Sequence, residues 1–253
     1  MSFFFFLCCA SPAYSEDPQI YSSHSQRFLP NPDQELLNQG DQLTQQGDYT
    51  NAIASYNKAI QKNSSNANAF QKRGFANYKM GEYVIALADF NNAIAFNGRS
   101  LMAYYDRGMT YYELGNTSLA IADYSKAIEI DPLSAFPYIN RAVAYTKKED
   151  FDLALADYNK GIELAPNDAG PYYLRGILHH QKKEFDQAVA DYGLYIEKKR
   201  PSDPKVFLSR AQAYCSKKEY EKSWEDVHKA ESLRLRIDPQ FLKELREASG
   251  RDH

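Results

Sequence analysis

The chain has 253 residues, 43% of them hydrophobic and 25% charged, with a formal net charge of −3. Twelve Gly and 11 Pro leave it apolar enough to fold along most of its length, which excludes a disordered class. Near-neutrality supplies no long-range field for nucleic acid or an anionic membrane; residues 198–253, with 14 Lys/Arg against 10 Asp/Glu, read as a solvated basic surface.

The first element is an apolar run, Phe3-Phe4-Phe5-Phe6-Leu7-Cys8-Cys9-Ala10, followed by the small residues of Ser11-Pro12-Ala13-Tyr14-Ser15. Residues 1–15 look like a candidate secretory leader, although no Lys or Arg precedes Arg27. The run is far short of the about 20 apolar residues of a membrane-spanning helix. The expected location is therefore exported, that is periplasmic, extracellular or envelope-associated. Lipid anchoring through Cys8 or Cys9 is the alternative, and it is weakened by the bulky Leu7 where a small residue is preferred. Removal of the leader leaves Cys215 as a lone cysteine, so no disulfide framework is expected. Residues 16–32 read as a flexible Pro/Ser-rich segment.

From residue 33 onward the sequence repeats itself. Ala52, Ala86, Ala120, Ala154 and Ala188 stand 34 residues apart, as do Tyr56, Phe90, Tyr124, Tyr158 and Tyr192. A third series, Arg73, Arg107, Arg141 and Arg175, keeps the same interval, and Arg210 follows one residue late, after Pro201-Ser202-Asp203-Pro204. A fixed period of this length marks stacked supersecondary units. Each unit reads as two helices. Apolar residues recur at three- and four-residue steps from Tyr104 to Leu114 until Gly115 stops the first helix. The second runs from about Thr117 to Ile128 and ends at Asp131-Pro132, because the residue before proline is biased away from helix. Small residues in the first helix (Gly74, Gly108, Ala142, Gly176, Ala211) allow close approach of its partner.

This pattern resembles the tetratricopeptide repeat family over roughly residues 33–235. The resemblance implies an all-α fold, a right-handed superhelical solenoid of about six antiparallel helix-turn-helix units spanning 33–66, 67–100, 101–134, 135–168, 169–203 and 204–237. The first unit is the weaker match, and the last departs at Ser223 and Val227. Residues 239–248 would form a C-terminal capping helix, with Phe241, Leu242 and Leu245 covering the open end.

Because the units are copies, they can be compared with one another. Five pair an Arg with an Asp sixteen residues later, Arg73/Asp89, Arg107/Asp123, Arg141/Asp157, Arg175/Asp191 and Arg210/Asp226, whereas the first unit has Gln39 and Ser55. Joint presence and joint absence point to structural ion pairs between the two helices or between neighbouring units, which fix geometry more than they add stability. A matched Asp neutralises each charge and argues against a basic ladder for phosphate.

The resemblance also implies that the first helix of each unit lines the inner face of the superhelix. The columns there make a partner-binding groove of Phe75, Tyr78, Met102, Tyr105, Met109, Tyr112, Phe136, Ile139, Val143, Tyr173, Ile177 and His180, suited to an extended peptide or an amphipathic helix. The competing reading is that part of this stripe is filled by intramolecular packing or by a homodimer partner. A carboxylate clamp for acidic tails is disfavoured, since the equivalent columns hold mostly Tyr, Met, Ile and Phe.

Chemistry is sparse. His179 and His180 are adjacent, so their rings point about 100° apart on a helix and do not chelate one metal together. No Walker-type phosphate loop or zinc-spaced Cys/His cluster is present in the sequence. The expected function is a non-catalytic protein–protein interaction scaffold without cofactor or metal, binding one or more proteins, with no nucleic acid and no transmembrane helix. An envelope-associated, lipid-anchored assembly factor is the alternative, and an enzyme ranks third.

Overall fold

The computed structural model describes residues 32–199 and 203–250. The candidate leader, Cys8 and Cys9, nearly all of the Pro/Ser-rich segment, residue 200 and residues 201–202 of the insertion lie outside the described residues.

The described residues form thirteen helices. Six consecutive hairpins are made by α1 (Pro32–Gln45) with α2 (Tyr49–Lys62), α3 (Ala67–Lys79) with α4 (Tyr83–Phe96), and α5 (Leu101–Glu113) with α6 (Thr117–Ile130). They continue with α7 (Ala135–Lys147) and α8 (Phe151–Leu164), α9 (Gly170–Gln181) and α10 (Phe185–Lys198), and α11 (Pro204–Ser216) and α12 (Tyr220–Ser232). The last helix is α13 (Pro239–Ser249). Each helix packs on its hairpin partner and on the next hairpin, which gives the superhelical solenoid of the all-α class. The first helix of each hairpin is called A below, the second B.

The turns explain the periodicity. Every A helix ends on a residue in the left-handed region, Gly47, Gly81, Gly115, Glu149, Lys183 and Lys218. The following amide then reaches five residues back, as Asn116 N does to the Tyr111 carbonyl at 2.8 Å, a closure that satisfies carbonyls at the helix end. Glycine adopts this backbone freely and L residues do not. Several N-termini are capped by side-chain acceptors, Asp48, Asn66 and Ser100 among them, which take up amides left without helical partners.

Within a hairpin the fit is tight. A Cβ placed on Gly108 would lie 2.8 Å from Tyr124 Cε1, and Gly40, Gly74 and Gly176 meet Tyr56, Phe90 and Tyr192 in the same way. The hairpins therefore close because a bare backbone on helix A rests on an aromatic ring of helix B, and the ring is almost fully buried. The sixth hairpin departs coherently: Ala211 and the smaller Val227 are both fully buried, and buried Ser223 donates its hydroxyl to the Ala211 carbonyl at 2.8 Å. Helix α13 then covers the end, with Leu245 fully buried and Phe241 and Leu242 packed on the core formed by Trp224, Val227 and their neighbours. Trp224 Nε1 donates to Ser249 Oγ at 3.2 Å.

Candidate functional site

Two sets of side chains run along the A helices, and the structure separates their roles. The arginines form the first. Arg107 Nε and Nη2 donate to the two carboxylate oxygens of Asp123 at 2.8 and 2.7 Å, and the same bidentate geometry recurs between Arg73 and Asp89, Arg141 and Asp157, Arg175 and Asp191, and Arg210 and Asp226. All five carboxylates are buried. Four of these arginines, at 107, 141, 175 and 210, are held above their already high pKa chiefly by the hydrogen bond to the Asp.

The remaining guanidinium nitrogen crosses to the preceding hairpin. Nη1 of Arg73, Arg107 and Arg175 donates to Asn57, Asn91 and Asn159, and that of Arg141 to Ser125 Oγ. Each of these arginines thus fastens three helices, its own A and the B helices on both sides. Aromatic rings three residues before and four residues after the arginine close over it: Arg107 lies 5.5 Å from the Tyr104 ring and 5.9 Å from that of Tyr111, and Arg141 sits between Tyr138 and Tyr145. Many of the 20 tyrosines are accounted for here and beneath the glycines, as structure. The first hairpin replaces the pair with another link, in which Lys72 Nζ reaches Asp41 at 2.8 Å and Asp41 also accepts from Tyr56 OH at 2.9 Å.

The second set is the A-helix face with the groove residues. Phe75, Tyr78, Tyr105, Met109, Tyr112, Phe136, Val143, Tyr173, Ile177 and His180 are partly buried, and Met102 is 41% exposed. Ile139 is a correction: it is only 5% exposed. Its Cγ1 fills the space above Gly161, within 2.6 Å of where a Cβ would stand, so it belongs to the core of the fourth hairpin. Val143 packs against that same core, and Tyr173 and Ile177 against the core of the last two hairpins, leaving only their outer edges to the face.

Successive A helices are also bonded to each other along this face. Gln71 Nε2 donates to Asp106 Oδ2 and Asn140 Nδ2 to Tyr105 OH, and Tyr173 OH pairs with Ser209 Oγ at 3.4 Å. Allowing for the inserted residue, these are equivalent rungs offset by about one repeat plus one position; at the same offset Ile139 and Leu174 belong to one apolar core. A parallel row joins Tyr78 OH to Glu113 Oε1 at 3.4 Å and sets Lys147 Nζ over the Tyr112 ring at 4.6 Å. The hydroxyls of Tyr78, Tyr105 and Tyr173 are thereby held, and the rings are partly covered as well: Tyr105 packs 6.0 Å from Tyr124 and Tyr173 5.2 Å from Tyr195. Asp106 is the anomaly: it is fully buried, Oδ1 has no hydrogen-bond partner, and burial pushes its pKa up to about 7. These rungs do not show at the 34-residue period of the repeat; an offset of 35 exposes them.

The histidines diverge. His179 Nδ1 lies 2.6 Å from Glu184 Oε2, whereas the His180 ring packs 5.3 Å from Phe185 and burial lowers its pKa. Among the described residues no group of three or more His, Cys, Asp or Glu could hold a metal ion, and no helix is long and apolar enough to cross a membrane.

Comparison with known proteins bears on the repeats directly. Residues 40–81 match the family described as TPR repeat, and residues 102–132 and 135–168 match that described as tetratricopeptide repeat. No curated protein matches. Among solved structures, a tetratricopeptide repeat protein from Parabacteroides merdae is 24% identical at a TM-score of 0.61, covering 89% of this chain and 87% of its own. PilW, a type IV pilus biogenesis factor, is 15% identical at a TM-score of 0.73, covering 79% and 92%. YrrB, described as a TPR protein with an unusual peptide-binding site, is 23% identical at 0.59, covering 69% and 90%. At these identities the likeness is one of fold.

Proposed function

We propose that this chain, which is built of tetratricopeptide repeats, is a non-catalytic scaffold that holds a peptide or amphipathic helix of a partner protein in the groove lined by its A helices. The carrying observation is the division of labour along those helices. The charged residues at the regular columns are committed to Arg–Asp pairs, and what varies from hairpin to hairpin is an apolar and aromatic face. Partner choice resides in such variable lining residues, not in the fold.

Half-buried tyrosines whose hydroxyls are tied to the next helix suit recognition at their exposed edges, because a preformed wall loses little conformational freedom on binding. Met102 and Met109 add polarizable, adaptable contact beside the fixed rings. The solved structure of YrrB, a repeat protein with a peptide-binding site by its own description, is an analogy for such use.

The test is a selection of random displayed peptides on the full chain, followed by their affinity for a Tyr105→Lys, Met109→Glu double variant that keeps its helical signal. Peptides that lose binding by about tenfold or more support the groove. Peptides that bind the double variant as tightly as the parent place recognition elsewhere.

A further inference from the structure

The A–B turns carry apolar side chains that neither the core nor the groove uses. At the first turn of the B helices one column reads Asn51, Ile85, Leu119, Leu153, Gln187 and Lys222. Only the second, third and fourth hairpins are apolar there, and Ile85, Leu119 and Leu153 are each exposed by half or slightly more. Met80 and Leu114, which end the A helices of the second and third hairpins, are also exposed, and Val84 is 77% exposed. Six large apolar side chains thus share one edge of three consecutive hairpins. Monomeric surfaces rarely hold such a patch without a use.

Charged side chains flank the edge. Residues 114–119, at its centre, include no charged side chain, and residues 115–119 line a shallow notch that Lys148 of the next hairpin borders. On one side stands exposed Glu82, whose side chain does not cap α4. On the other stands Lys148, 43% exposed and paired at 3.7 Å with Asp150, on a turn that also carries Glu149 and Asp152.

We propose that this edge is a homodimer interface, in which two copies pack antiparallel about a two-fold axis through the turn of residues 114–119. In a two-fold contact residue i meets j and j meets i. Leu114 and Leu119 then pack on their own equivalents at the uncharged centre, Met80, Val84 and Ile85 face Leu153 of the other copy, and Glu82 faces Lys148. An apolar centre with a polar rim is the anatomy of a stable interface. A lipid surface fits less well, because Glu82, Glu149, Asp150 and Asp152 outnumber the lysines at these turns.

The test is sedimentation equilibrium of the full chain at micromolar concentration. The parent chain is expected to be dimeric, and Leu119→Glu with Leu153→Glu monomeric with unchanged helical signal, since both side chains are solvent-facing. Glu82→Lys alone weakens the dimer at low salt, and Glu82→Lys with Lys148→Glu restores it. A monomeric parent, or a dimer that both the leucine and the charge variants leave unchanged, overturns the proposal; the latter places association elsewhere in the chain.

Discussion

Arg107 Nη1 lies 2.6 Å from Asn91 Oδ1, a hydrogen bond that fastens the third hairpin to the second while the same guanidinium grips Asp123 in its own hairpin. The two contacts are unequal. Asp123 is buried and Asn91 is exposed, so Arg107→Ala strands a buried carboxylate and is expected to cost about 3–5 kcal/mol. Asn91→Ala removes one surface hydrogen bond, worth about 1 kcal/mol. Urea unfolding followed by circular dichroism measures both, and equal losses would contradict the assignment of Arg107 as the centre of a three-helix fastening.

Asp106 predicts an unusual pH dependence. Its carboxyl has no second donor and titrates near 7 in the folded chain against 3.8 for the free group. Between those values the folded state holds a proton that the unfolded chain has released. The contribution of Asp106 is therefore full below about pH 4 and is lost as pH rises toward 7, at up to about 1.4 kcal/mol per pH unit. Asp106→Asn should remove that slope and raise the melting temperature at pH 8. Parallel stability curves for the two proteins between pH 5 and 8 would show that Asp106 is not protonated on folding.

The left-handed turn residues give a third prediction. Glu149, Lys183 and Lys218 have φ of 64°, 61° and 63° where the first three hairpins have glycine. Lys183→Gly should raise stability by about 0.5–1 kcal/mol, and Gly115→Lys should lower it by a similar amount. Thermal melts of the two variants decide it; a loss of stability in Lys183→Gly would mean that side-chain contacts of Lys183 outweigh its backbone strain.

The fold was legible because a repeat is an internal comparison. The Ala, aromatic and Arg columns gave the hairpins, and the Arg–Asp spacing of sixteen residues gave the pairs. The sequence left open whether those pairs join helices within a hairpin or between neighbours, and the arginine does both: Asn57, Asn91, Ser125 and Asn159 form a further 34-residue column whose role needs the three-dimensional stack. The groove was harder to read. Helical spacing puts Ile139 on the same stripe as Tyr105 and Tyr173, but Gly161 opposite it leaves a space that the Ile139 side chain fills. Whether a side chain lines a surface or plugs a gap depends on its neighbour across the interface, which periodicity along one helix does not encode.

The central claim is that the A-helix face is the receptor surface. The chain has four methionines, and three of them report on separate places: Met102 and Met109 on the proposed groove, and Met80 on the apolar edge. Methyl-labelled methionine spectra of the full chain, recorded during titration with a selected peptide, read all of them at once. The account predicts that the Met102 and Met109 signals shift with peptide while Met80 responds only to protein concentration. A saturable shift of Met80 alone, with Met102 and Met109 unmoved, would contradict it.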